Sequence, residues 1–484
     1  MAATSLALSP NHSHPSSKNE CKTPSLTCSD KTLSSDADEV RILGGFKPPC
    51  STSSGAVSAI YTRACGSTKP QHGHVRYQSA SQWRDELSES YQSVKNFIRA
   101  QILEPGLSVN TLEKINPAPD QIENEFISLG WRFEDIPGET SKFPKRRIMS
   151  PNDRLRLLMR KSLVYRHPES VNAICRSKDL TRQYLENNGV QVPRGQAFDH
   201  DEMPRACELI QSASGPFVVK PSDAAGSHGV TLGVETLEQL EKAWNEALTH
   251  AREGSKILVE EFVAGMDVRA YVTGDTVVAA AARLQPFVVG DGKSNLVELI
   301  KASRQRLKNH AYWKRNPATA RWKFLEARGY RKTSVPARDE IVIINPYIVL
   351  RYGSSIVDIT DIIHPGIKEI AVKAAHSIPE LEVAGIDLLV TDINDPTTAR
   401  VLEVNTAPGP SMHKFATYGK TRDVELDVVA YFHSQFLDTL DPKERRQFES
   451  KLARKKRYAS LKKKIRGGVS RLRRGRDSHS KRGR

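Results

Sequence analysis

Apolar residues recur along the chain in two rhythms. In SASQWRDELSESYQSVKNFIRAQIL, Trp83, Leu87, Tyr91, Val94 and Ile98 return at intervals of three and four, the period of an amphipathic helix. A helical accessory region is expected from residue 81 to about residue 165. SKDLTRQYLENNGVQVP predicts a helix from a Ser cap through Leu185, stopped near Gly189 with Pro193 beyond it. Shorter runs follow: PFVVKP reads as a strand, AAGSHGVTLGV as a glycine-interrupted hairpin, TLEQLEKAWNEAL as a helix and KILVEEFV as a strand. VRAYVTG and VVAAAARLQPFVV are two strands joined by a hairpin turn signal at Gly274 and Asp275. IVIIN, VAGIDLLV and VLEVN supply later strands. The pattern is a mixed α/β chain with mostly antiparallel, hairpin-linked strands, unlike a strict βαβ alternation.

One strand breaks its own rhythm. In VLEVNTAPGPSMH, Glu403 and Asn405 interrupt a run of Val and Leu. Strand side chains alternate faces, so Leu402 and Val404 are expected on one face and Glu403 with Asn405 on the other. The pair is either a solvated edge or a carboxylate and an amide aimed together into a site.

Composition bounds the rest. The length of 484 residues leaves room for roughly three domains. Residues 1–80 hold 22 Ser and Thr, no Trp and one Phe, Phe46, and are expected to be disordered because they offer little apolar surface to bury. The amino terminus lacks the pattern of a secretory signal and no apolar run approaches the ~18 residues of a membrane span, so a soluble, cytoplasmic protein is expected. The six cysteines, Cys21, Cys28, Cys50, Cys65, Cys175 and Cys207, form no C-x-x-C pair and read as reduced thiols. The net charge of +16 is confined to one place: residues 442–484 hold 19 Lys and Arg against 3 Asp and Glu, which accounts for the whole excess. The body is neutral. We expect a basic tail from residue 441 to 484, able to attract RNA or another acidic surface, or else a solvated arm with no dedicated partner.

Candidate chemistry gathers in the body. Lys220 closes the strand FVVK, and a lysine there is ordinarily solvated. Gly226, Ser227, His228 and Gly229 follow it in a loop of little bulk whose backbone N–H groups can turn toward an anion, so a triphosphate suits the pair. Glu260 and Asp267 flank a strand end that can offer oxygen atoms to an adenine amino group and to ribose hydroxyls. VVGDGKS resembles a fragment of a P-loop but has Phe287 where that pattern needs a glycine, and reads instead as a hairpin turn. His228 and His413 are read as structural or solvated as readily as substrate-binding, and neither is assigned to catalysis.

Taken in order, SKDLT, GVQVPRG, FVVKPSDAAGSHGVTLGV, VEEFVAGMDVRAYVTG, AARLQPFVVGDGKSNLVELI, DITDIIHP, VAGIDLLVTD and VLEVNTAPGPSMHKFATYGKTRDV resemble an ATP-grasp ligase. The stretch from about residue 170 to 440 is most similar to the ATP-grasp module of cyanophycin synthetase. The resemblance implies an α/β (α+β) ATP-grasp domain over residues 166–440 that holds a nucleotide between two mixed α/β subdomains. It implies that Lys178 and Lys220 bind phosphates under the loop Gly226–Gly229. Glu260 would meet the adenine, Val263 would offer backbone atoms, Asp267 would hold the ribose, and Arg283 would contact phosphate as a catalytic residue. Asp387, Glu403 and Asn405 match the magnesium ligands of the fold, and two carboxylates with an amide oxygen suit a hard cation, Mg²⁺ or in its place Mn²⁺. The implied reaction is ADP-forming ligation of a carboxylate to an amine, an amino acid or small peptide, through an acyl phosphate. A homo-oligomer is one state the resemblance allows.

Two departures bear on substrate. Cyanophycin synthetases carry a second ligase module with a GKT-type P-loop; nothing like it follows residue 440, so polymer synthesis from two amino acids is not expected. Where that family shows small residues before DITD, this chain reads RYGSSIVDITD, with Arg351 and Tyr352. The alternatives are a ligase that modifies a protein, with the basic tail docking on an RNA-rich partner, and a non-catalytic protein that binds ATP or nucleic acid.

Overall fold

The computed structural model describes residues 76–77, 86–115, 118–138, 141–213, 215–224, 226, 228–455 and 457. The expectations of a disordered amino-terminal segment and of a basic arm beyond residue 457 lie outside them. After a short strand β1 (Arg76–Tyr77), helix α1 (Glu86–Ile98) runs on into a π-helical turn (Arg99–Leu103) and is followed by α2 (Ala118–Ser128). Tyr91, Val94 and Ile98 face the core as their spacing predicts, each at most 2% exposed. Trp83 lies outside the described residues.

The helical reading stops at Ser128. Four short antiparallel strands follow, β2 (Arg132–Asp135), β3 (Arg146–Met149), β4 (Arg156–Arg160) and β5 (Leu163–Tyr165), in sequential order. Their alternation is masked by arginine: in RLLMR, Leu157 and Met159 point inward while Arg156 and Arg160 point out. Cross-strand ion pairs between Arg146 and Asp135 at 3.0 Å and between Arg147 and Glu134 at 3.5 Å join β2 to β3, one on each face.

The next sheet carries the first lobe. Helices α3 (Glu169–Arg176) and α4 (Lys178–Asn187) lead into β6 (Gly195–Phe198), α5 (Met203–Ser212), β7 (Phe217–Pro221), β8 (Thr231–Val234), α6 (Leu237–Leu248) and β9 (Ile257–Glu261), with strand order β1-β8-β7-β9-β6. Phe198, Val219, Leu240, Trp244 and Val259 pack between sheet and helices. α6 starts on a capping box in which Thr236 and Gln239 satisfy each other's backbone N–H groups. Ser177 precedes α4 as expected, yet its hydroxyl donates to Asp179 rather than capping the helix.

The second lobe is a five-stranded antiparallel sheet. Its elements are β10 (Met266–Thr273), β11 (Thr276–Leu284), β12 (Phe287–Val289), α7 (Leu296–Arg306), α8 (Trp322–Ala327), β13 (Ile341–Ile343), β14 (Ser355–Asp358), α9 (Pro365–His376), β15 (Val383–Val390), β16 (Arg400–Asn405), α10 (Ser411–Lys414) and α11 (Val424–Asp438). The main sheet has the order β14-β11-β10-β15-β16, and β12 pairs with β13 in a separate ribbon. One face is apolar: Val268, Ala270, Ala280, Ala282, Ile386, Leu388 and Val404 share a core with Ile367, Ala371 and Ala374 of α9. GDGKS is not a hairpin turn. It joins β12 to α7, with Asp291 accepting from the N–H groups of Lys293 and Ser294 and Asn295 capping the helix. Among the described residues no helix is long and apolar enough to cross a membrane.

The accessory elements do not form a body of their own. Ile122 and Phe126 of α2, Trp131, and Ile148 and Leu157 of the meander pack against Val428, Phe432 and Phe436 of α11. Beside them the Lys414 ammonium is buried, donating to Gln121 of α2, to Asp423 at 2.6 Å and to the fully buried Glu425. The tail's first turns belong to this arrangement as well. Residues 442–455 are helical, Phe448 meets Phe436 edge-on at 5.1 Å, and Arg154 grips Glu444 with two bonds of 3.0 and 2.8 Å. The boundary expected at residue 441 therefore falls inside a packed unit. Truncation after Asp441 strips away a half-buried aromatic worth about 1–2 kcal/mol, and we expect the melting temperature to drop by about 2–4 °C. Truncation after Arg457 should leave it unchanged. Identical melting curves for the two truncations would show that the helix adds nothing to the fold.

Candidate functional site

The second face of the main sheet is polar, and alternation explains how. Asp267 and Arg269 are two apart on β10 and so project together, away from Val268 and Ala270. Register then brings Arg283 of β11 opposite Asp267, Asp387 of β15 opposite Arg269, and Glu403 of β16 opposite Asp387. The alternation on β16 is interrupted where the register shifts: Val401 and Val404 are both 1% exposed, and Leu402 is the extra residue between them. The expectation that Leu402 shares the core face with Val404 is thereby corrected, while Glu403 and Asn405 keep their common face.

Charges on this face are paired across strands. Arg283 Nε donates to Asp267 Oδ1 at 2.5 Å and its Nη2 lies 3.2 Å from Asp387 Oδ1. Arg269 holds the same Asp387 carboxylate from the other side, donating to both oxygens, with Nη2 to Oδ2 at 2.7 Å. Asn405 Nδ2 reaches Asp387 Oδ2 at 3.5 Å. Burial works to raise the Asp387 carboxyl, but Arg283 and Arg269 outweigh it and hold it below the ordinary range. Asp267 touches one guanidinium instead of two, and burial raises it. Gly385 makes room for this packing: a Cβ there would stand 2.8 Å from both Arg269 Nη1 and Pro408 Cβ.

His413 sits at the edge of the cluster. It is 2% exposed, its ring meets Tyr271 edge-on at 5.7 Å, and burial together with Arg269, Arg283 and Arg422 pushes it down to about 3, so the imidazole is neutral.

The first lobe contributes a second charged group. Glu260, only 5% exposed, is paired with Lys220 across β7 and β9 and lies 3.6 Å from Arg182 Nη1. In this state its carboxylate is taken up by cations, not presented to a base. Lys178 opens α4 with its ammonium on the carbonyl of Ala224 at 2.6 Å, at the root of the glycine loop. Burial lowers Lys178 below the ordinary lysine value, Lys220 pushes the same way, and Glu403 opposes them. The two lobes meet here: β16 packs on α3 and α4, and Thr406 Oγ1 donates to Asn172 Oδ1 at 2.6 Å. Val263 lies in the link between β9 and β10, where Phe262 N–H donates to Pro216 at 2.8 Å and Gly265 N–H to Ser90 Oγ of α1 at 3.1 Å.

The expected residues thus fall into two groups. Lys178, Lys220 and Glu260 gather on the first lobe, and Asp267, Arg283, Asp387 and Asn405 on the second, with Glu403 between them. Gly226 and Gly229 both have φ of +68°, as their loop requires, and His228 faces His250 at 5.5 Å. Ser227 lies outside the described residues. Arg269 and Arg182 were not expected. Arg269 was within reach of the alternation argument, being two residues from Asp267; Arg182 shows locally only its helical partner Glu186, at 2.7 Å, and nothing in the sequence marks its approach to Glu260.

The donor set fits a hard divalent cation. Two carboxylates and an amide on adjacent strands offer oxygen atoms, and nucleotide phosphates complete such a shell. Among the described residues no group of three His, Cys, Asp or Glu side chains is disposed to hold a metal ion by itself.

Residues 176–292 match the family model described as phosphoribosylglycinamide synthetase, ATP-grasp (A) domain. Cyanophycin synthetase of Trichormus variabilis is 33% identical over 261 residues, a stretch covering 52% of this chain and 28% of that protein. A glutathione biosynthesis bifunctional protein of Clostridium perfringens is 28% identical over 260 residues, covering 51% of this chain and 33% of that one. The crystal structure of a bifunctional glutathione synthetase from Pasteurella multocida aligns with a TM-score of 0.48 and 23% identity over 66% of this chain and 44% of that one. The chain spans about a third or less of the length of these two sequence relatives. Residues 176–292 are thus similar to an ATP-grasp (A) domain.

The pairing pattern separates two substitutions. Asp387→Asn leaves Arg269 buried without its counter-charge and should cost about 3–5 kcal/mol of stability. Glu403→Gln breaks no pair and should leave the melting temperature within about 2 °C of the parent while abolishing Mg²⁺-dependent nucleotide turnover. A stable, active Glu403→Gln variant would remove Glu403 from the site.

Proposed function

We propose that the chain is an ADP-forming carboxylate–amine ligase. The carrying observation is the convergence, at one junction between lobes, of two lysines beside a glycine loop with a carboxylate–amide–arginine face. Lysines and a glycine loop suit a triphosphate, and the facing oxygens suit the cation that accompanies it. Bound Mg²⁺ would supply charge neutralisation on the phosphates, held by Asp387, Glu403 and Asn405. Lys178 and Lys220 bind phosphate oxygens. When they do, Lys220 exchanges its pair with Glu260 for the nucleotide, and Arg182 remains to hold that carboxylate. Asp267 and Val263 border the sugar and base. Arg283 stands where charge grows as the γ-phosphoryl group moves, and Asp267 with Asp387 fixes its guanidinium in advance.

In the reaction, a substrate carboxylate oxygen attacks the γ-phosphorus, the bond to the β,γ-bridging oxygen breaks, and ADP leaves. An amine then attacks the acyl carbon, phosphate departs, and the amine gives up a proton. Amino acids or small peptides are the substrates we favour, from the names of the relatives. We place the acceptor on the β14 side of Arg283, where Asp358 and Arg422 form the next charged pair at 2.8 Å.

We also propose that residues 458–484, with 11 Lys and Arg against the single Asp477, bind a polyanion. Truncation after Arg457 should preserve turnover and abolish salt-sensitive retention on heparin. Retention that survives truncation would move the basic surface into the body.

For the ligase itself, turnover should release ADP and phosphate, and hydroxylamine should trap the activated carboxylate as a hydroxamate. AMP and pyrophosphate as products would overturn the reading.

A further inference from the structure

The segment between α1 and α2 lies outside residues 176–292, yet it enters the second lobe. After the π-helical turn the chain passes between two loops and bonds to both. The N–H of Asn110 donates to Thr417 O at 2.9 Å, and its side-chain amide donates both hydrogens, to Ala416 O and Gly419 O, each at 2.9 Å. Leu112 N–H donates to Asn309 O at 3.0 Å, and Ala311 N–H returns a bond to Leu112 O at 2.8 Å. Val109 packs against the enclave of Ala281, Trp313, Ile356 and Ala416.

The gripped loop leads directly to the polar face. Thr417 and Tyr418 donate to Ile356 O at 2.7 and 3.0 Å, and Asp358 N–H donates to Tyr418 O at 3.0 Å. Ile356 is the cross-strand neighbour of Arg283, and Asp358 that of Ala281. Three residues beyond Gly419, Arg422 reaches both Asp358 and Asp361 at 2.8 Å. Asn110 therefore fixes the backbone from which Arg422 extends, and Arg422 borders the side of Arg283 away from the metal corner. An amide is required at this point. Two carbonyl oxygens face the side chain, so a carboxylate of the same shape would repel both; an alanine would take the amide hydrogens from both, leaving Ala416 O with only the His310 ring.

We infer that Asn110 is a positioning residue for the acceptor half of the site, acting through the loop from Ala416 to Arg422, and that the amino-terminal region thereby sets how the amine substrate is received. The inference rests on the ligase reading for its catalytic consequence, but not for its structural one. Both nucleotide and metal groups lie on the other side of Arg283, so the effect should divide between substrates.

The test uses the full chain and Asn110→Ala, with Asn110→Asp as the isosteric variant and Asn110→Gln as the one that keeps an amide. Hydrogen exchange should accelerate over residues 416–422 in the Ala and Asp variants and stay unchanged over residues 257–261. With a pool of free proteinogenic amino acids as the amine probe, KM for the pool should rise about tenfold, the size expected of two neutral hydrogen bonds. ADP release when excess hydroxylamine takes the place of the amine and the same pool supplies the carboxylate, and KM for ATP, should be unchanged. Asn110→Gln should recover part of the loss. Unaltered exchange over residues 416–422 overturns the brace whatever the activity. Accelerated exchange with an unaltered KM for the pool, or with equal losses for ATP, overturns its role at the acceptor. If the parent chain releases no ADP with either nucleophile, the ligase reading fails while the exchange result still decides the structural part. Should Asn110→Asp fail to fold, the Ala and Gln variants carry the same comparison.

Discussion

The pairing of Arg269 and Arg283 with Asp267 and Asp387 governs the second lobe. Four ionised groups on one face of a sheet cannot be desolvated singly; each needs a counter-charge within hydrogen-bond reach. The antiparallel register supplies those partners, since Asp267 faces Arg283 and Arg269 faces Asp387 across neighbouring strands. A slip of one residue in β10 would send both charged side chains of that strand into the apolar core beneath α9. The cluster thus specifies register as well as chemistry, and the absence of a side chain at Gly385 lets the Arg269 guanidinium and Pro408 lie close above the sheet.

Most of this was legible where the pattern was periodic and local. The strands VAGIDLLV and VLEVN stand as expected, and Glu403 and Asn405 do share a face, because side-chain alternation needs no knowledge of the partner strand. The register shift at Leu402 was not legible, since a bulge is set by pairing and leaves no local mark in a run of Val and Leu. The meander of residues 132–165 was missed for a different reason: arginines on its outer face interrupt the apolar count, and the strands are too short to establish a period. The end of the folded unit was misjudged from charge. Phe448 stands among basic residues, and only its contact with Phe436 shows that the charged run begins inside the fold.

Residues without chemistry of their own connect the lobes. Ser90 receives the N–H of Gly265 in the link that carries Val263, so α1 bears on the hinge. Tyr91, one residue on, meets Phe324 of α8 edge-on at 6.1 Å with Arg328 stacked above it at 4.5 Å. One helix therefore touches both the hinge and the insertion between β12 and β13. Neither contact is visible in periodicity, which reports that a helix has an apolar face and says nothing of what will cover it.

The buried ammonium of Lys414 has a consequence for the order in which the chain assembles. Gln121 and Lys414 are 293 residues apart, and the bond from Trp131 to His433 spans 302. At a synthesis rate of about 5–20 residues per second, the segment around α2 waits roughly 15–60 s on the ribosome before its partners exist. Through that interval Ile122, Phe126 and Trp131 have no α11 to cover them, and contacts of such long range form slowly even afterwards. The nascent region around α2 is therefore a client for whatever shields apolar surface during translation, and its fate is decided when α10 and α11 emerge.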